Sequence, residues 1–462
     1  MTTGELERHT ARDRAAADRR ASDERKARVR GRVAVAAWAV LIIGAFVVGD
    51  ILRRAGLATE DDLPPLHAEL RLLTWQMLPA VCVGGLAVAV LPPLAQRLPW
   101  RGLLPVCWAA TALWTVVLAL SDGWDALHAP LDAPTEYPTN LDAVRDDPAG
   151  WLRTFTEKLN GYTTHVRGHP PLPMLVLWAL EAVGLRGTGW SAALIIAVGT
   201  SAVAAIAVTV RCVAGETLAR RALPFLVLAP FTLWIATAMD AFFLGVGAWA
   251  VALAAIAATW EKASSVGGGF AARHRGLVAA AGSGLLLGTL PYLSYGLLPL
   301  FALPLAVVVL TRPSRRILAV LVCCAAVVPV AFTLGGFWWP DGVAATHETY
   351  LVSRGSAQRS YAYFAVANVA VLGILVGPAT AYALPGVFSG RRPLAWLVGA
   401  ALVGLLALDL SGVTKGEVER IWVPYAAWVV VATAQHRPPA RRWLVAQAAL
   451  ALAVQALVRS HW

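Results

Sequence analysis

The sequence predicts an all-α, polytopic transmembrane protein of about thirteen spans, and three observations carry that prediction. Of 462 residues, 58% are hydrophobic and only 15% charged, against roughly a quarter charged in soluble domains. Apolar runs of 17 or more residues recur along nearly the whole chain, each long enough to cross a hydrocarbon core about 30 Å thick at about 1.5 Å per helical residue. The formal charge of +11 rests on arginines in short segments between those runs. That is the distribution of topology signals, not of a nucleic-acid surface. The five cysteines, Cys82, Cys107, Cys212, Cys323 and Cys324, lie within or at the ends of apolar runs and match neither a disulfide framework nor a zinc spacing.

Residues 1–32 hold ten basic and six acidic residues and nothing apolar that demands burial. They read as a basic cytoplasmic tail, a loose helix or else disordered or in contact with lipid headgroups, and not as a cleaved signal. Residues 33–462 form a single transmembrane domain. Its predicted spans are 33–49, 73–94, 103–120, 189–210, 222–239, 241–259, 276–293, 295–311, 316–334, 362–385, 394–410, 421–434 and 443–458. The segment 171–185 is the exception, because fifteen residues give a helix only about 22 Å long, and it carries Glu181. If it stays on one side as a re-entrant or surface helix, Arg97/Arg101, Arg220/Arg221, Lys262/Arg273/Arg275, Arg312/Arg315/Arg316, Arg391/Arg392 and Arg437/Arg441/Arg442 all share the side of the N-terminus. A full crossing would place nearly all of them opposite. The positive-inside rule therefore predicts a cytoplasmic N-terminus and an external C-terminus.

Three polar stretches then face outward: 121–170, 335–361 and 411–420. The first carries eight acidic and four basic residues and far exceeds the usual connection between packed helices, so it is expected to contain short juxtamembrane helices and to contribute function. Its candidate groups are Asp122, Asp125 and Glu136, followed by His165, Arg167 and His169 in the run that ends at Pro170-Pro171 before an apolar helix. Taken singly, each carboxylate also suits a solvated acidic loop. Asp240, in Met239-Asp240-Ala241-Phe242-Phe243 between two apolar runs, is costly in lipid and should face a polar cavity or the interface, or else mark a plain hairpin turn. The second stretch offers Trp338, Trp339, Asp341, His347, Glu348, Tyr350, Arg354 and Arg359. The aromatics could stack on a bound ligand or simply anchor at the interface, and His347-Glu348 lacks the second histidine of a zinc helix, since position 351 is leucine. The third stretch places Lys415, Glu417, Glu419 and Arg420 outside, against the positive-inside trend. Either the cations grip phosphates while the carboxylates orient them, or the segment is a self-neutralised turn.

An acidic first outer loop, Gly168-His169-Pro170-Pro171-Leu172 leading into an apolar helix, the arginines at 220–221 and Ala238-Met239-Asp240-Ala241-Phe242 between spans occur here in one order. In that order they resemble the GT-C glycosyltransferases, closest to the branch of protein O-mannosyltransferases and lipid A aminoarabinose transferases. The likeness covers mainly 115–260. It implies a bacterial plasma-membrane enzyme that moves a sugar from a polyprenyl-phosphate donor to a lipid, glycan or protein acceptor of the cell envelope, with inversion at the anomeric carbon. By the same resemblance a first-loop carboxylate is the base, with Glu136 and Asp125 ranked equal and Asp122 behind them; Asp240 is the second acidic residue; and His169, with Arg167 and His165 beside it, contacts phosphate or acceptor. The chain departs from the family in lacking an adjacent Asp-Glu pair in the loop and in placing two further spans before it. A divalent cation, Mg²⁺ or Mn²⁺, suits such an acidic site, although no ligand spacing specifies one. The rival expectation is a membrane transporter or lipid-linked-glycan flippase, which predicts internal repeats or paired broken helices.

Overall fold

The computed structural model describes residues 3–57, 62–264, 269–352, 356–390, 392–438 and 440–462, with backbone alone for 3–21 and 356. The protein is an all-α polytopic membrane protein. Among the described residues, nine helices are long and apolar enough to cross a membrane, and shorter apolar helices accompany them.

Helix α1 (Thr3–Arg54) runs without a break from the polar tail into the first span. Of the forms expected for the tail, the structure has the helix. Alanine, arginine and glutamate are strong helix formers and no proline interrupts the segment, so a helix fixed in the membrane extends outward. It is clipped to a later helix where Trp38 Nε1 donates to the Gly373 carbonyl at 2.8 Å and Tyr363 Oη donates to the Ala45 carbonyl at 3.0 Å. A hairpin follows, α2 (Leu78–Arg97) and α3 (Trp100–Ala119).

The first loop contains α4 (Asp142–Arg145), α5 (Pro148–Thr154) and α6 (Thr164–Gly168) among short 3-10 turns. Asp147 caps α5 by accepting from the Gly150 N–H at 2.7 Å, with Pro148 at the first helical position, the arrangement those two residue types favour. Helix α7 (Leu172–Ala182) has eleven residues, about 16 Å of rise. Both its ends touch the first loop: the Tyr137 and His169 rings lie 5.6 Å apart just before it, and Glu181 near its end accepts from Arg145 at 2.8 and 3.1 Å. It enters and leaves on one side.

Next come α8 (Thr188–Ala214) and α9 (Glu216–Val227). The expected span 222–239 is not one helix. Helix α9 stops at Val227, a 3-10 turn covers Pro230–Trp234, and extended backbone at Ala238 leads into α10 (Met239–Ala263). Pro224 and Pro230 each remove a backbone donor, which interrupts the ladder. Helix α11 (Gly269–Leu293), α12 (Ala302–Thr311) and α13 (Arg315–Leu334) follow, and α8, α10, α11 and α13 pack in sequence. The contact of α11 with α13 depends on Gly284 and Gly288, where any Cβ would meet the carbonyls of Leu321 and Ala325. In lipid, where burying leucine against leucine gains little over lipid tails, such close backbone approach supplies the attraction.

Helix α14 (Trp339–Val352) covers part of the second loop, and α15 (Tyr361–Val387), α16 (Arg392–Ser411), α17 (Val418–Ile421), α18 (Val423–Val429) and α19 (Arg441–Leu457) complete the chain. Helix α15 is broken at Gly377, whose φ of 73° and ψ of 173° are open to glycine alone. The α19 side chain Gln447 repairs the break, accepting from Ala379 N–H at 3.2 Å and donating to the Val376 carbonyl at 2.7 Å. Strand β1 (Ala68–Leu70) pairs antiparallel with β2 (Val458–Ser460). The polar loops gather at one end of the bundle. At the other, Arg220 donates to the Ala95 and Leu98 carbonyls at 2.7 and 2.9 Å, and Arg437 pairs with Glu24 at 3.2 Å.

Candidate functional site

The loop end of the bundle buries a network of charges centred on Arg420. Residues 412–417 link α16 to α17, and Glu417 at the start of α17 takes a left-handed backbone conformation, φ 58° and ψ 14°. For a non-glycine residue this costs about 1–2 kcal/mol, and the ion pairs of its own side chain hold it there. Arg420, 6% exposed, donates from Nη1 to Asp240 Oδ2 at 2.8 Å and from Nη2 to Glu417 Oε2 at 3.0 Å. Its guanidinium lies 4.2 Å from the ring centre of Trp462. Asp240 reaches this point because it opens α10 on the loop side, directly after the broken segment.

The same Nη2 lies 3.2 Å from His165 Nε2, and His165 Nδ1 lies 2.6 Å from Glu136 Oε1. A guanidinium nitrogen has only protons to give, so His165 Nε2 must accept. The ring proton then sits on Nδ1 and donates to Glu136. Geometry thus fixes one tautomer and orients the ring between a carboxylate and a cation. His165 is held in register by its own N–H, which donates to the Thr135 carbonyl at 3.0 Å. His169, one helical turn on, donates from Nδ1 to the His165 carbonyl at 2.8 Å. Tyr137 lies edge-on to His169 and 5.9 Å from His165.

A second layer surrounds these groups. Arg359 Nη1 stands 3.4 Å from Glu417 Oε1 and donates to the Lys415 carbonyl at 3.0 Å. Glu419 accepts from His67 N–H at 3.0 Å and from Trp462 Nε1 at 3.1 Å. The β1–β2 pair carries His67 and Trp462 to this position. Arg420 Nε and Glu419 Oε2 are buried with no hydrogen-bond partner among the described residues, a donor and an acceptor with capacity for a polar ligand.

Electrostatics follow from burial and neighbours. Burial drives His169 down to about 4, with Arg420 and His165 adding to the shift against the pull of Asp240. For Glu417 burial acts upward, but Arg420 and Arg359 outweigh it and hold the carboxyl down at about 2. Burial also pushes Glu419 above the usual carboxylate range and Tyr137 well above the usual phenol range. Burial opposes the charge on Arg420, yet Asp240, Glu417 and Glu136 together raise it.

Comparison with family models, curated proteins and solved structures gives no match. The site therefore stands on its own geometry.

Of the residues expected from sequence, Glu136, His165, His169, Asp240, Glu417 and Arg420 come together. Asp122 instead pairs with Arg71 and accepts from Gln455 at 2.8 Å. The Asp125 side chain is 94% exposed, 3.9 Å from His128. Lys415 Nζ donates to the Ala357 carbonyl at 2.7 Å, Arg167 is half-buried beside the cluster, and His347 and Glu348 are exposed on α14. Arg354 lies outside the described residues. The sequence reading missed His67 and Trp462, because nothing near either hints that two strands more than 380 positions apart pair. No three His, Cys, Asp or Glu side chains among the described residues are grouped to hold a metal ion.

Proposed function

We propose that this protein is a membrane glycosyltransferase that moves a sugar from a polyprenyl-phosphate donor to a hydroxyl of a lipid, glycan or protein of the cell envelope. The Glu136–His165–Arg420–Asp240 chain supports this reading most directly, because it sets a proton-accepting carboxylate near a cation at one end of the spans. Glu136, oriented by the His165 Nδ1–H, takes the proton of the acceptor hydroxyl as its oxygen bonds to the anomeric carbon. The bond from that carbon to phosphate oxygen breaks, and Arg420, with Arg359 behind it, takes up the charge that the departing phosphate gains. Asp240 and Glu417 hold Arg420 in place. Trp462 covers the guanidinium, so the donor reaches it once residues 458–462 lift. The end bearing the site faces outward and the arginine-rich end faces the cytoplasm, by the positive-inside rule.

The broken helix α15 favours transport, the second reading, because discontinuous spans line transporter sites. Its freed groups, however, are taken by Gln447 and by His436 Nε2, which lies 2.9 Å from the Ala379 carbonyl. The test is transfer of radiolabelled sugar from a panel of polyprenyl-phosphate donors by membranes carrying the protein. E136Q, H165N and R420Q should each lower transfer at least 100-fold with normal insertion, and D125N should not. Unchanged transfer in E136Q and R420Q would reject the assignment, and label crossing vesicles without transfer would favour transport.

A further inference from the structure

We propose that the arginine-rich end of the bundle carries a binding site for an acidic phospholipid. A cavity of about 610 Å³ opens there among α2, α9 and α19, at the opposite end from the Arg420 network. Its apolar floor includes Pro93, Pro224, Phe225 and Leu444, and Arg221 and Arg441 stand in its lining. Pro93 precedes Arg97, the last residue of α2, by four positions, and Leu444 follows Arg441 by three. At about 1.5 Å of rise per residue the floor lies roughly 5–6 Å below the charged ends. That is the depth at which headgroup gives way to acyl chain.

The arginines differ in what they have left to give. Arg220 is committed: it donates to Glu216 at 2.7 Å and to the Ala95 and Leu98 carbonyls, which pins α9 against the end of α2 and fixes one wall. Arg221, half-buried, and Arg441, exposed, make no hydrogen bond or ion pair among the described residues. A guanidinium presents paired donors that match a phosphodiester, and the floor beneath accepts the first methylenes of a chain.

The sign of the site selects the lipid. Its lining includes Arg220, Arg221 and Arg441 and contains no Asp or Glu among the described residues, while nearby Glu216 is already paired with Arg211 and Arg220. The ammonium of a zwitterionic headgroup would find no counter-charge there, whereas a phosphatidylglycerol-type headgroup brings a single negative charge and hydroxyls.

The experiment uses purified full-length protein in neutral detergent. Native mass spectrometry and thermal unfolding are followed with added phosphatidylglycerol, phosphatidylcholine or glycerol 3-phosphate. Phosphatidylglycerol should stay bound and raise Tm by several degrees. The R221Q/R441Q variant should keep its lipid-free Tm and lose at least tenfold of the preference for phosphatidylglycerol over phosphatidylcholine. R441Q alone, at an exposed position, should lose part of it. An equal response to the two lipids, or an undiminished preference in the double variant, overturns the proposal. A Tm gain from glycerol 3-phosphate equal to that from the lipid overturns the apolar half of the site.

Discussion

Arg420 answers to three carboxylates, a histidine and an indole, and its removal would leave Asp240 and Glu417 buried without a partner. Deleting one member of a buried ion pair costs about 3–5 kcal/mol. R420M should therefore destabilise the protein by that order, whereas R420M/D240L should recover part of the loss, as thermal unfolding of the two variants would show. His169 and Glu417 give the protein a two-stage response to acid. His169 titrates at about 4 in the fold against an ordinary 6.5, so its contribution is whole above 6.5 and is lost as pH falls to 4, at most about 3 kcal/mol. Glu417, held at about 2 against an ordinary 4.5, loses its contribution between those lower values. Melting temperature against pH should flatten between 6.5 and 4 in H169N, while E417Q leaves that upper window intact and removes the lower one.

Helix α15 carries a break that the rest of the molecule must mend. Its backbone groups at 376 and 379 face no water, and an unsatisfied buried group costs about 1–3 kcal/mol. Q447L leaves both unmet and should lower stability by about 2–6 kcal/mol, whereas Q447N, one methylene short, should lose less if backbone shifts close the gap. The contact of α11 with α13 is the other sensitive element. G288L drives a side chain into the Ala325 carbonyl and should part the two helices, which cysteine cross-linking between α11 and α13 would report as lost. Neither element could be read from the hydrophobic pattern, because apolar periodicity specifies a helix without saying where another backbone comes within van der Waals contact of it.

Across the whole molecule, the all-α polytopic class and most of the long apolar helices were legible. Among the described residues, nine of the thirteen expected spans are matched by helices long and apolar enough to cross a membrane, while 222–239, 295–311, 421–434 and 443–458 are covered by shorter or broken helices; α7 is short and touches one loop with both ends. The break in 222–239 was less visible, since that apolar stretch looks like a span until Pro224 and Pro230 are given their backbone consequences. The site was half legible. Asp240 and Arg420 stood out as charges where charges are expensive, and His165 and His169 stood beside a double proline. Ranking Asp125 equal with Glu136 was a limit of one-dimensional reading: both lie in the same acidic loop, and only the fold turns Glu136 toward His165 while Asp125 faces solvent. Sidedness is open to direct measurement. In a cysteine-free background, cysteines at Asp142 and at Arg315, both exposed, should react with an impermeant maleimide from opposite faces of a sealed vesicle, with Asp142 accessible in intact cells.

The repair of α15 by α19 has a bearing on biogenesis. Gln447 follows Ala379 by 68 positions, so at about 5–20 residues per second the ribosome needs several seconds to deliver the amide after the break has been made. During that interval α15 holds two bare backbone groups that lipid cannot solvate. The nascent chain must therefore keep α15 beside the translocon, or beside water, until α19 arrives. A ribosome stalled just before α19 should expose a segment around 377 to proteases that the finished protein resists.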